Sequence, residues 1–125
     1  MKTITEENIN RIDVDKSKFI AICFPLNDEE TFKTKLSEIK KQNPKARHVV
    51  YAYRIGQKSK SCDDNEPKGT AGRPLLELLF KKNLNNLAVI VVRYFGGVKL
   101  GASRLLRTYI QAGNEVLNKT NQIDI

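Results

Sequence analysis

No aspartate or glutamate occurs between Glu77 and Glu115. The chain has one histidine, two cysteines and no tryptophan. Each scarcity removes a class of function. His48, Cys23 and Cys62 lie apart in the sequence, so they offer no metal-ligand cluster. No Ser-His-Asp or Cys-His arrangement can be argued from a single histidine. Cys23 falls in an apolar run and Cys62 in a polar one, which is no disulfide framework. No apolar run approaches the roughly 20 residues that span a bilayer. Met1 to Asp15 mixes charge and polarity, and no signal peptide is visible there. The expectation is a cytoplasmic chain with no membrane partner, no metal and no cofactor.

What is present is positive charge. The 125 residues carry 22 lysines and arginines against 14 acids, a net +8. The acid-free interval holds six of the cations: Lys81, Lys82, Arg93, Lys99, Arg104 and Arg107. It also holds the glycine run Arg93-Tyr94-Phe95-Gly96-Gly97-Val98-Lys99-Leu100-Gly101. Cations, glycines and a helix start in one place point to an anion-binding surface, and a field of this size favours nucleic acid. Lys81 and Lys82 fall in the last turn of a helical pattern, where the helix dipole alone accounts for them.

The length suits one domain with one modest core, here residues 1–125. Ile9, Ile12 and Val14 and then Phe19 to Leu26 form strand patterns around an Asp15-Lys16-Ser17 turn, which reads as a hairpin. Asn27, with Glu30 three residues on, is placed to cap a helix carrying Phe32, Leu36 and Ile39. Asn43-Pro44 stops it. A strand follows over His48 to Ile55, then a polar stretch to Gly69 that could hold a short strand but reads mostly as loop. Pro74 sits in the first turn of a second helix. Leu87 to Val92 is continuously apolar, as in a central strand covered on both faces. A last helix spans Ala102 to Asn118, with Leu105, Leu106, Tyr109, Ile110, Gly113, Val116 and Leu117 inward. Gly113 in its middle implies close packing against backbone. The order predicts an α+β fold: a mixed sheet of four to five strands with helices against one face.

Two constellations carry chemistry. The glycine run ends at a helix start, where free N–H groups and the dipole attract phosphate. Arg104 and Arg107 stand in that helix's first turns, where a cation is disfavoured by about 0.3–1 kcal/mol unless an anion is near. The candidate anion or nucleic-acid site is therefore Arg93, Gly96, Gly97, Lys99, Gly101, Ser103, Arg104 and Arg107. The spacing fits neither a Walker loop nor a Rossmann fingerprint. Asp63, Asp64 and Glu66 form an acidic loop, suited to structural pairing or to a divalent cation. Arg93 is expected to pair with one of the three through a bidentate fork.

The run Asp63-Asp64-Asn65-Glu66-Pro67-Lys68-Gly69-Thr70-Ala71-Gly72-Arg73-Pro74 resembles the DDGEP-x-GTAG-x-P signature of the IMPACT/YigZ family. Val91-Val92-Arg93-Tyr94-Phe95-Gly96-Gly97, followed by Leu100-Gly101, resembles its VVRYFGG-x-x-LG signature. Ala46-Arg47-His48, Ala52-Tyr53 and the Arg107-x-Tyr109 pair are similar to weaker blocks. The resemblance covers about Asp15 to Asn118. It implies a fold like the second domain of a small-subunit ribosomal protein and domain IV of elongation factor G. Bacterial members usually append a ferredoxin-like C-terminal domain, which this chain is expected to lack. The family is tied to translation: eukaryotic members bind the activator of a translation-stress kinase, and nucleic-acid binding is proposed for bacterial ones. It implies no catalytic residues. Asn65 departs from the pattern where glycine is usual, as does Ser103-Arg104 where a second glycine pair is common.

The sequence thus predicts a non-catalytic binding module in translation regulation that contacts RNA, the ribosome or a translation-associated protein. Two alternatives stand beside it. One is an enzyme acting on a phosphorylated small molecule, using the glycine run and the acidic loop. The other is a pure protein-interaction domain.

Overall fold

The structure, a computed structural model, describes residues 1–125. Its elements in chain order are β1 (Lys2–Ile4), β2 (Asn8–Val14), β3 (Ser17–Pro25), α1 (Glu29–Gln42), β4 (His48–Ile55), β5 (Lys58–Cys62), α2 (Gly72–Lys81), β6 (Leu87–Tyr94), α3 (Ala102–Asn118) and β7 (Gln122–Asp124). The class is α+β. The main sheet has five strands in the order β2-β3-β6-β4-β5, and β1 pairs with β7 in a second, two-stranded sheet.

Every pairing in the main sheet is antiparallel, so the expected mixed sheet is corrected. The reason lies in the β3-α1-β4 crossover. Such a unit normally leaves two parallel neighbours, but here β6 fills the gap between them. Arg93 is thereby in register with Phe19 on one side and His48 on the other.

The helices cover both faces, not one. On one face Phe19, Ala21 and Cys23 join Val50, Ala52, Val89 and Val91 under α2 and α3. On the other, Ile22, Phe24, Tyr51, Tyr53, Ile90 and Val92 pack with Phe32 and Ile39 of α1. Strand side chains alternate with period two. Apolar residues at consecutive positions of β6 therefore require cover on each side, which the narrow stripe of α1 supplies. The Phe32 ring lies 4.8 Å from that of Tyr51 and 4.6 Å from that of Tyr53.

Three local expectations shift. The cap of α1 is Asp28, not Asn27. Its extended backbone lets the carboxylate accept from the Thr31 amide at 2.7 Å, and a charged cap also suits the dipole. The inner face of α3 is rotated. Leu106 and Ile110 are each 37% exposed, while Thr108 and Ala112 are buried. Burial of Thr108 is tolerated because its hydroxyl donates to the Arg104 carbonyl. Gly113 meets side chains, not backbone: an added Cβ would lie 2.7 Å from Leu75 Cδ2. That glycine sets how closely α2 approaches α3.

The start of α1 carries a pH dependence. The Thr31 amide holds the Asp28 carboxyl below the ordinary carboxylate range. The Tyr53 hydroxyl and then Lys58 do the same for Glu29. A carboxylate depressed in the folded state contributes stability that is complete above its unfolded pKa. That stability is lost as pH falls through the folded value, hence mostly below about pH 4. Asp28→Asn keeps a capping oxygen without the titration. Its melting temperature should therefore fall less steeply than the wild type's on acidification. Equal slopes in a thermal-denaturation series would contradict the role given to Asp28.

Candidate functional site

The ends of several elements meet beside the C-terminus of β6. Gly96 follows the strand and lies flat against the β2–β3 turn. A Cβ there would collide with the backbone carbonyl of Lys16 and sit 2.5 Å from the Ser17 nitrogen. Its own N–H donates to Ser17 Oγ at 3.1 Å. Gly97 and Gly101 have φ of +90° and +80°, which L side chains rarely adopt. Together these glycines turn the chain from β6 into α3.

That turn leaves a cavity of about 550 Å³, lined by Arg47, His48, Glu66, Pro67, Arg93, Phe95, Lys99, Leu100, Gly101, Ala102 and Leu105. Arg93 lies at its base and is 5% exposed. Its Nη1 donates to both Glu66 oxygens, at 2.9 and 2.7 Å. The expected two-nitrogen fork is not formed. The Glu66 carboxylate is shared: Tyr109 donates to Oε2 at 2.5 Å, and His48 Nε2 lies 3.3 Å from Oε1. The guanidinium also lies over the Phe19 and Phe95 rings, at 5.4 and 5.9 Å from their centroids. Its Nε has no partner.

Burial, and then the bond to Glu66, push the Tyr109 hydroxyl far above its ordinary range. It remains a neutral donor at every physiological pH. His48 Nδ1 lies 2.6 Å from the Asp64 carbonyl, which can only accept, so this nitrogen carries a proton. Arg47 stacks on Phe95, its guanidinium carbon 4.6 Å from the ring centroid.

The acidic loop is spent internally. Asp63 accepts from the amides of Gly69, Ala71 and Gly72 and so closes the start of α2. Asp64 accepts from the Val49 amide at 2.6 Å. Asn65 adopts φ +67° and Asp64 φ +44°, conformations that asparagine and aspartate tolerate better than most residues. The three carboxylates thus point to different tasks, and their oxygens hold protein donors in place of a shared cation.

Of the site residues expected from sequence, Arg93, Lys99 and Gly101 come together in the cavity with Glu66. Gly96 and Gly97 shape its rim. Ser103 and Arg107 are exposed on the first turns of α3. Arg104 is paired with Asp15 of the β2–β3 turn, which supplies the anion that its place near a helix N-terminus demands. Lys82 stands apart, bonded to Asn118 at the far end of α3, about 25 Å along the 17-residue helix. The six cations of the acid-free interval therefore do not form one surface. The cavity end instead draws on cations from elsewhere: Arg47 before β4 lines the cavity, and Lys16 of the β2–β3 turn has its backbone against Gly96. A charge count along the chain could not find these. The pairing of His48 with Arg93, which carries Arg47 in, is a property of the sheet.

Residues 15–117 match the family described as the Impact N-terminal domain. The chain belongs to that family. The IMPACT family member YvyE of Bacillus subtilis is 39% identical over 125 residues, covering 98% of this chain and 58% of YvyE. A solved structure described as a crystal structure of a hypothetical protein superposes with a TM-score of 0.93 at 28% identity, over 98% of this chain and 62% of that one. The two-domain translational regulator Yih1 gives a TM-score of 0.52 at 25% identity, over 94% and 46%. The chain spans little more than half the length of YvyE. No helix is long and apolar enough to cross a membrane.

Proposed function

We propose that this Impact N-terminal domain acts in translation regulation as a non-catalytic RNA-binding module, contacting RNA or ribosomal RNA phosphates at the cavity end of the sheet. The observation that carries the reading is Arg93. A guanidinium 95% removed from solvent lies at the base of a cavity, with Arg47 and Lys99 on its walls. Beside it is the start of α3, which has no side-chain cap and no acidic residue in its first turn. The first amides of a helix lack internal partners, and they favour an anion. Exposed Arg107, one turn on, extends the positive surface. Phe95, 37% exposed, brings an aromatic ring to the site, as proteins that bind single-stranded RNA do. Translation is supported by family membership and by the likeness to Yih1, a translational regulator.

The enzyme reading loses ground because Asp63, Asp64 and Glu66 already hold donors. Of the three, only Glu66 lines the cavity, and its oxygens are taken up by Arg93 and Tyr109.

A short fluorescent single-stranded RNA tests the proposal. Arg47→Ala with Lys99→Ala should weaken its binding about tenfold or more at low salt, as loss of two charge-assisted contacts implies. Lys81→Ala, at the opposite end of the domain, should change it little. Equal weakening by both variants would mean diffuse charge attraction with no site at the cavity.

A further inference from the structure

The cavity is more charged than contact with a continuous phosphate backbone requires. Three cations, Arg47, Arg93 and Lys99, face one carboxylate, Glu66, a net of +2 from these four groups. A phosphodiester carries one negative charge. A phosphate monoester carries about −1.5 to −2 at pH 7 and presents three acceptor oxygens.

The donors present match the latter. Ala102, Ser103 and Arg104 open α3 with amides that no side chain caps. Arg93 supplies the second, independent sign of a ligand. It is 5% exposed and lines the cavity, its Nη1 is committed to Glu66, and its Nε has no partner. Nε is sealed from solvent, so Nη2, which bonds to no protein acceptor, is the donor left to face a ligand. The remaining walls, Pro67, Leu100 and Leu105 with Phe95, are apolar. They would shelter a sugar or base but offer nothing to a bare inorganic ion.

We infer that this cavity binds a terminal phosphate monoester carried on a nucleoside, either the 5′-phosphorylated end of an RNA or a free nucleoside monophosphate. The phosphate sits between Arg93, Lys99 and the first amides of α3, with the nucleoside against Phe95 and Leu100. For the RNA-end source the inference rests on the RNA reading above; for the free nucleotide it does not.

The test uses the whole chain and three probes: one short RNA with a 5′-phosphate, the same RNA with a 5′-hydroxyl, and adenosine monophosphate. Binding is read by anisotropy for the RNAs and by amide shifts of Ala102 and Ser103 for all three. The 5′-phosphate should tighten RNA binding about tenfold, a preference lost in Lys99→Ala and kept in Lys81→Ala. Equal, salt-sensitive binding of the two RNAs, with no response to the nucleotide, overturns the terminal-phosphate site and leaves the RNA reading standing. If adenosine monophosphate shifts the Ala102 and Ser103 amides while neither RNA binds, the site stands with a small-molecule ligand and the RNA reading falls. Absence of any response to all three overturns both.

Discussion

Replacing Glu66 with alanine should destabilise the domain by about 3–5 kcal/mol, the usual cost of leaving one partner of a buried ion pair alone. The carboxylate is 3% exposed and its partner Arg93 5%. Removing it orphans three groups at once: the guanidinium, the Tyr109 hydroxyl and the His48 ring. Against a total stability of about 5–15 kcal/mol for a small domain, this is a large fraction. Glu66→Gln should fall between, because it keeps acceptors for Tyr109 while losing the charge. Buried pairs often exchange for apolar residues at little net cost. Arg93→Met with Glu66→Leu should therefore recover much of the loss, while removing one of the cavity's three cations. Urea midpoints order the variants. A Glu66→Ala variant within about 1 kcal/mol of wild type, the range of an exposed pair, would show that the ion pair does not bind the loop to the sheet.

Gly96→Ala is the second large effect expected. The added Cβ would press into the backbone of Lys16 and Ser17, which cannot rotate aside as a side chain can. Ordinary overpacking costs about 1–3 kcal/mol, and a backbone collision should reach or exceed the upper end. The β2–β3 turn would have to move, and with it Asp15, the partner of Arg104. Gly97→Ala is the control. Its Cβ would meet nothing, so only the strain of a positive φ remains, about 1–2 kcal/mol. The two adjacent glycines thus serve different ends, one a close approach and the other a turn. Equal stability of the two alanine variants by denaturant titration would contradict this division.

Much of this architecture was legible along the chain, for reasons that differ by element. The central strand announced itself by its unbroken apolar run, and α3 by its glycine start and helical period. The edge strand β5, Lys-Ser-Lys-Ser-Cys, carries no apolar alternation because it lies largely in solvent, so a short strand there was only a possibility beside the loop reading. The strands β1 and β7 are three residues each, too short for any period to register. The placement of β6 between β3 and β4 depends on which gap the crossover leaves, and no local pattern encodes that. At the site, Arg93, Lys99 and Gly101 were within reach of sequence reasoning because they are neighbours in one motif. Arg47 and His48 were not, since their approach to Arg93 follows from sheet register. A cation at Arg104 calls for an anion by the dipole argument, and Asp15 stands beside it because the hairpin lies against α3.

Cations at the cavity end are proposed to contact nucleic-acid phosphates. The most direct measurement of this contact is the salt dependence of RNA affinity in the wild type and in Arg47→Ala/Lys99→Ala. Each phosphate neutralised on single-stranded nucleic acid contributes about 0.7 to the slope of log affinity against log salt. Loss of two such contacts should make the variant's slope shallower by about 1.4. An unchanged slope, with both proteins folded and binding, would mean that these residues touch no phosphate and that the RNA lies elsewhere on the domain.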